Sequence, residues 1–169
     1  MSEPGPEFLT ELLGPDHDVA AFDSGEPETD DWLCANALRT QRQGSARTRV
    51  LVRPGDNRVL GFYAVAPHDT HRQDLPRSAA GGLSVVPGYL VAQLAVDRSL
   101  QGQGIGGELL LDALTTVAGA ARAAGGRLLV VDAVREGALT FYQRYGFIRI
   151  GQTLRLCMKI SGIQSSLES

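Results

Sequence analysis

Apolar residues recur along this chain with two periods, and the switches between them predict ten elements. Residues 7–13 form a short first strand, closed by the turn residues Gly14-Pro15-Asp16. A helix is expected from Thr29, an N-cap residue type followed by Asp30 and Asp31 at the positive end of the helix dipole. Trp32, Leu33, Ala37 and Leu38 then share one face, and the helix fades by Gly44. Strands at 48–53 and 59–66 are joined by Pro54-Gly55-Asp56-Asn57, a strong hairpin signal. The stretch 67–87 is polar, glycine-rich and proline-bounded, and is expected to be irregular.

An apolar strand follows at 89–96, and a long helix at 104–124 stops at Gly125-Gly126. Residues 128–131 read as a buried strand, 138–145 as a short helix, and 147–150 and 153–160 as the last strands. The order β-α-β-β-β-α-β-α-β-β predicts an α/β fold with a mixed sheet.

Length and composition narrow the picture. The 169 residues, 43% apolar, suit one domain over 1–169, with a core at about 7–160 and a flexible C-terminal tail at 161–169. No run approaches the roughly 20 apolar residues that span a bilayer. The opening Met1-Ser2-Glu3-Pro4-Gly5-Pro6-Glu7 is acidic and unlike a signal peptide, so a cytoplasmic protein without membrane association is expected. Cys34 and Cys157 are too few for a disulfide framework or a cysteine-based metal site, and no metal is expected.

Charge changes the picture more. Residues 1–31 carry ten acids and no Lys or Arg, so 32–169 hold sixteen bases against nine acids, a formal +7. Between Trp32 and Arg77 eight arginines face only Asp56, Asp69 and Asp74. Coding bias is one source of such a composition, since fifteen of the sixteen bases are Arg. An arginine face that meets phosphates is the other.

Candidate chemistry concentrates at Gln101-Gly102-Gln103-Gly104-Ile105-Gly106-Gly107, which follows the strand Val91-Ala92-Gln93-Leu94-Ala95-Val96 and opens the long helix. A glycine-rich turn at a helix N-terminus presents unpaired N–H groups to an anion such as phosphate. Gly102 to Gly107 also satisfies the GxGxxG dinucleotide pattern, with Asp132 at the spacing of a ribose-binding acid. That alternative lacks context, because only 37 residues follow Asp132, too few to complete a doubly wound sheet.

Gln101-x-x-Gly104-x-Gly106 resembles the Q/R-x-x-G-x-G/A signature of the GNAT acetyltransferases, set between a strand and a helix as in that family. Ala138-Leu139-Thr140-Phe141-Tyr142-Gln143-Arg144-Tyr145-Gly146-Phe147 resembles the family's A-x-x-[LF]-Y-x-x-x-G-F element at Ala138, Phe141, Tyr142, Gly146 and Phe147. The resemblance implies a GNAT fold and acetyl-CoA as co-substrate. It also implies a pyrophosphate held by Gln101, Gly102, Gln103, Gly104, Ile105, Gly106 and Gly107, and a pantetheine arm along Leu94, Ala95 and Val96. For Tyr142 it implies a proton donor to the leaving thiolate, with Tyr145 as the alternative one helical turn away. A donor at that sulfur is what expulsion of a thiolate requires. His17, His68 and His71 are scattered, and each reads as a loop residue rather than a base.

Phe22-Asp23-Ser24-Gly25 with Asp31-Trp32-Leu33 and Ala37 resembles the F-x-C-G…L-D-x-W-L…A opening of the toxin–antitoxin acetyltransferases, the TacT and AtaT group. Two departures are Ser24 in place of Cys and Asp30 in place of Leu. This resemblance implies acetylation of the α-amine of aminoacyl-tRNA, a ribbon-helix-helix antitoxin as partner, and a homodimer. Arg39, Arg42, Arg47, Arg49, Arg72 and Arg77 are the candidates for contact with tRNA phosphates. A GNAT enzyme for a small amine or a protein N-terminus, and a non-catalytic acetyl-CoA-binding module, are the alternatives.

Overall fold

The computed structural model describes residues 7–168. Seven strands form one mixed sheet in the order β1-β2-β3-β4-β5-β7-β6. They are β1 (Leu9–Leu12), β2 (Arg47–Val52), β3 (Gly61–His71), β4 (Val85–Val96), β5 (Leu128–Asp132), β6 (Ile148–Arg149) and β7 (Arg155–Lys159). The helices are α1 (Pro27–Trp32), α2 (Leu38–Gln43), α3 (Arg77–Ala80), α4 (Ile105–Ala124), α5 (Leu139–Gln143) and α6 (Ile160–Glu168). Strands β4 and β5 run parallel, whereas β1–β2, β5–β7 and β6–β7 are antiparallel.

The described residues fall into two compact units, 7–64 with Gln93–Leu110, and Val65–Ala92 with 111–168. In the first, α1 and α2 are joined by a π-helical turn, Leu33–Ala37, which brings Leu33 and Ala37 inward. They pack with Leu13, Phe22, Val50, Val52, Val59 and Phe62. Trp32 stacks on Phe62 with centroids 6.1 Å apart, and Phe22 meets Phe62 edge-on at 5.5 Å. The alternation of β2 puts Thr48, Val50 and Val52 inside.

In the second unit Leu128 and Val130 of β5 and Cys157 of β7 pack with Val86 and Ile150 under Ala79 and Ala80 of α3. Strand β4 carries Gly88 against Leu128 of β5. The buried residues of α4 in this unit are Ala113, Leu114, Val117 and Ala118, spaced as one helical face.

The structure corrects three expectations. The first helix begins at Pro27, with Glu26 rather than Thr29 at its N-cap. Proline suits the first helical position, because the N–H it lacks would have no partner there, and Thr29 is buried instead. The stretch 67–87 is largely ordered: β3 continues through Pro67 to His71, Arg72–Asp74 is a 3-10 turn, α3 follows, and β4 starts at Val85. Proline's fixed φ fits an extended chain, and its missing N–H is harmless where that group faces off the ladder. Residues 160–168 form α6 where a flexible tail was expected, with Ile160 and Ile163 buried. Among the described residues no helix is long and apolar enough to cross a membrane.

Candidate active site

In the first unit β4 ends at Val96 and the chain turns through a 3-10 segment, Arg98–Leu100, into the glycine loop. The turn is set by Asp97, which is 4% exposed. Its carboxylate accepts from the Ser99 N–H at 3.1 Å, the Ser99 hydroxyl at 2.8 Å and the Asp23 N–H at 3.1 Å. Burial alone would raise this carboxyl. The Asp23 and Ser99 hydrogen bonds and the Arg58 charge outweigh it and hold Asp97 below its ordinary value.

Gly102 and Gly104 have φ of +80° and +81°, a region L side chains rarely adopt. An added Cβ at either would meet nothing within 4 Å, so the loop demands glycine for its backbone path and leaves open space around itself. Glu108 N–H bonds back to the Gly104 carbonyl at 3.3 Å, and Ile105 opens α4. The first-turn N–H groups ahead of it are those a helix cannot satisfy internally. Open space, glycine backbone and a 20-residue helix suit a pyrophosphate.

Gln101 serves this loop differently from the glycines. Its Nε2 donates to the Ser24 carbonyl at 2.7 Å and the Val96 carbonyl at 2.9 Å, so the carboxamide braces the loop from behind. Ser24 is held in turn by Asp30, whose carboxylate accepts from the Ser24 hydroxyl at 2.6 Å and the Ser24 N–H at 3.1 Å. Counting back from Trp32 and Leu33 puts the Leu position of that opening at Thr29, which is buried, and its Asp at Asp30, so Asp30 is a match and not a departure. Ser24, which stands where Cys was expected, is the partner of Asp30. Arg98 completes the clasp, donating its N–H to the Asp23 carbonyl at 2.8 Å and pairing with the Asp23 carboxylate at 3.2 Å. Gln101→Ala is expected to weaken acetyl-CoA binding about five- to tenfold, the scale of one or two net hydrogen bonds. Turnover at saturating acetyl-CoA should stay unchanged. Calorimetric titration and steady-state kinetics read the two quantities separately.

Of the strand residues preceding the loop, Leu94 and Ala95 are half-buried and Val96 is buried. Ala95 packs on the Phe62 cluster.

In the second unit α5 carries Tyr142, 5% exposed, edge-on to Phe141 at 5.1 Å and to Phe147 at 5.8 Å. Gly146, with φ of +94°, turns the chain between Tyr142 and Phe147. Burial first, and then the Asp132 charge, push the Tyr142 hydroxyl up to about 12. It is a proton carrier throughout the neutral range. Tyr145 is half-buried and stacks edge-on to Phe141 at 5.5 Å.

Asp132 closes β5 and faces Arg155 across the β5–β7 ladder. Arg155 grips it bidentately, Nε to Oδ1 at 2.8 Å and Nη2 to Oδ2 at 2.9 Å. Its third contact is Nη1 to His68 Nε2 at 3.2 Å. Asp132 and Arg155 border a cleft of about 640 Å³ that Thr70, Asp74, Ile150 and Leu154 also line. Sequence reasoning missed Arg155 and set His68 aside as a loop residue; the signal was only the pairing register of β5 and β7. His17 is structural, accepting from the Gly14 N–H at 3.0 Å and meeting Glu11 at 2.8 Å. His71 is exposed.

The six candidate arginines separate. Arg39 and Arg42 are exposed on α2 and Arg47 on β2. Arg49 is half-buried and donates to the Thr10 carbonyl of β1 at 3.0 Å, so that guanidinium braces the sheet edge. Arg72 and Arg77 share a second cleft, about 780 Å³, with His71, Gln73 and Ser84.

The glycine motif falls in the loop that opens α4 after β4, and the aromatic motif falls on α5, the helix after β5. Residues 46–149 match the family model described as the acetyltransferase (GNAT) domain. The chain belongs to the GNAT family and is an acetyl-CoA-dependent acetyltransferase. Its relatives place it among the toxin acetyltransferases of that family. It is 40% identical over 131 residues to the tRNA-acetylating toxin of Mycobacterium tuberculosis, covering 77% of this chain and 78% of that protein. The AtaT toxin complexed with acetyl-methionyl-tRNAfMet superposes with a TM-score of 0.86 at 31% identity, over 96% of this chain and 99% of that one. A tyrosine-to-phenylalanine mutant of AtaT, bound to the C-terminus of the antitoxin AtaR and acetyl-CoA, superposes at 0.83 with 30% identity, over 97% and 100%.

Proposed function

We propose that this acetyltransferase moves acetyl from acetyl-CoA to the free α-amine of aminoacyl-tRNA and so blocks translation, as a cytoplasmic toxin neutralised by an antitoxin. The observation that carries the reading is the 40% identity to a tRNA-acetylating toxin over 77% of the chain. The AtaT structures with acetylated initiator tRNA and with antitoxin support it. The antitoxin is of ribbon-helix-helix type and the enzyme works as a homodimer in this reading.

Each part of the chemistry has its residues. The backbone from Gln101 to Gly107 holds the pyrophosphate, and Leu94, Ala95 and Val96 pair through their main chain with the pantetheine amides. Bound acetyl-CoA supplies a thioester carbonyl for the amine to attack. As the amine nitrogen bonds to the carbonyl carbon and the C–S bond breaks, Tyr142, kept protonated by burial and by Asp132, gives its proton to the departing sulfur, and the proton lost by the nitrogen restores the hydroxyl. No side chain needs to act as nucleophile, because the amine of the acceptor is one. The α-amine of an aminoacyl ester has an unusually low pKa, so a useful fraction is neutral without a strong base.

Arg72 and Arg77 meet tRNA phosphates in their shared cleft, with Arg39, Arg42 and Arg47 extending the basic surface; the Arg49 bond to β1 makes it the weakest of the six. Removing Arg72 or Arg77 should lower affinity for charged tRNA and reduce the slope of log K against log salt by about one each. Filter binding across a salt series checks this, and an unchanged slope removes these two from the interface. The reading as a whole is tested in a translation extract. Wild-type protein should stop synthesis only when acetyl-CoA is added; continued synthesis with acetyl-CoA present would sink it.

A further inference from the structure

The sheet face that buries Leu128, Val130 and Cys157 under α3 ends in polar groups. Asp132 lies two residues beyond Val130 on β5, and Arg155 two residues before Cys157 on β7, so alternation brings both side chains to that same face. Their backbones are paired in register. The carboxylate and guanidinium meet in the fork-to-fork geometry that is strongest for such pairs, with both distances under 3 Å.

The remaining contact decides a tautomer. An arginine N–H only donates, so His68 Nε2, at 3.2 Å from Nη1, must offer its lone pair. The ring is then neutral with its proton on Nδ1, and Nε2 is not free to take a proton from an acceptor amine. Burial, and then the Arg155 charge, hold His68 below its ordinary value, against the weaker pull of Asp132 and of Asp69 on its own strand. Asp132 is the charged group that acts on Tyr142, and the Asp132 hydrogen bond makes Arg155 a firmer cation still.

We propose that Arg155 is a positioning residue of acetyl transfer: it locks the Asp132 carboxylate on one side and a single tautomer of His68 on the other, at the wall of the cleft lined by Thr70, Asp74, Ile150 and Leu154. The lock has two effects. It holds in place the carboxylate whose charge helps keep the Tyr142 hydroxyl protonated, so that the proton is there to be shared with the sulfur as the C–S bond breaks and is restored from the nitrogen of the attacking amine. It also withholds His68 from proton transfer, so the acceptor must arrive with an amine already neutral. This inference rests on the acetyltransferase reading above and adds to it a residue outside both family motifs.

The test compares wild type with Arg155→Met, which keeps the length of the side chain, and Arg155→Lys, which keeps the charge without the fork. The first readout is the histidine ring-proton titration by NMR, with His68 assigned from His68→Gln; it needs no substrate. In Arg155→Met the His68 midpoint should move upward from its wild-type position, and Arg155→Lys should leave it between the two. The second readout is the pH dependence of kcat. Arg155→Met should lose about 10- to 100-fold in kcat, with acetyl-CoA affinity unchanged and a new ionisation that follows the His68 midpoint. Turnover is read on charged tRNA, or on whichever small amine wild type accepts should charged tRNA fail, so a wrong acceptor and a wrong role for Arg155 give separate results. A His68 midpoint unmoved in Arg155→Met, or a kcat profile that superposes on wild type with only a lower melting temperature, overturns the proposal.

Discussion

Tyr142→Phe should lower acetyl transfer about 10²- to 10⁴-fold, the usual contribution of a positioned general acid, and leave acetyl-CoA affinity as it was. The substitution removes one oxygen and nothing else that the fold uses. The ring packs edge-on against Phe141 and Phe147, which a phenylalanine reproduces. The hydroxyl has no protein hydrogen bond to lose among the described residues, so the variant should unfold at the same urea concentration as wild type. Tyr145→Phe is the matched control, and it should keep near-wild-type turnover.

The same assignment has a pH signature. A hydroxyl pushed up from 10.0 to about 12 stays protonated through the whole stable range. Turnover should therefore rise with pH as the acceptor amine loses its proton, and should not fall again near 10, where an ordinary tyrosine ionises. A descending limb centred there would mean that the acid is a different, more exposed group.

The largest expected effect on folding comes from a position without chemistry. Gly88 stands opposite Leu128 on the β4–β5 ladder, and a Cβ there would lie 1.8 Å from the Leu128 carbonyl oxygen and 2.8 Å from its carbon. Both are backbone atoms, so no rotamer relieves the clash, and the parallel pair beneath Ala79 and Ala80 must separate. Gly88→Ala is expected to cost on the order of 3 kcal/mol or more, at the upper end for overpacking. The denaturant midpoint or the soluble yield reads this. Gly119→Ala is the control, since a Cβ there meets nothing within 4 Å on α4. A helix-interior alanine should gain up to about 1 kcal/mol over glycine. Equal stability of the two variants would contradict the register of β4 on β5.

Much of this was legible in the sequence because it is local. The glycine loop announces itself through Gly102 and Gly104, which the chain needs for their positive φ. Tyr142 is picked out only because Ala138, Phe141, Gly146 and Phe147 around it resemble a family element; its burial is the structure's addition. What was not legible depends on register or on long separations. Arg155 reaches Asp132 from 23 residues away and His68 from 87, and nothing in the spacing of the three residues marks them. Gln101 bonds Ser24 across 77 residues, so its place in the signature motif did not reveal that its side chain faces inward. Ser24 reads as a lone loss in the sequence and stands in the structure as the hydrogen-bond partner of Asp30. The prolines misled most: Pro67 and Pro87 read as punctuation, yet β3 and β4 run through them.

The most direct measurement is the transfer of radiolabelled acetyl from acetyl-CoA to a pool of aminoacylated tRNA, beside the same pool stripped of its amino acids. Label confined to the charged pool, and lost with Tyr142→Phe, is the predicted result. Label in neither pool while acetyl-CoA still binds would contradict the account and point to a small amine or a protein N-terminus as the acceptor.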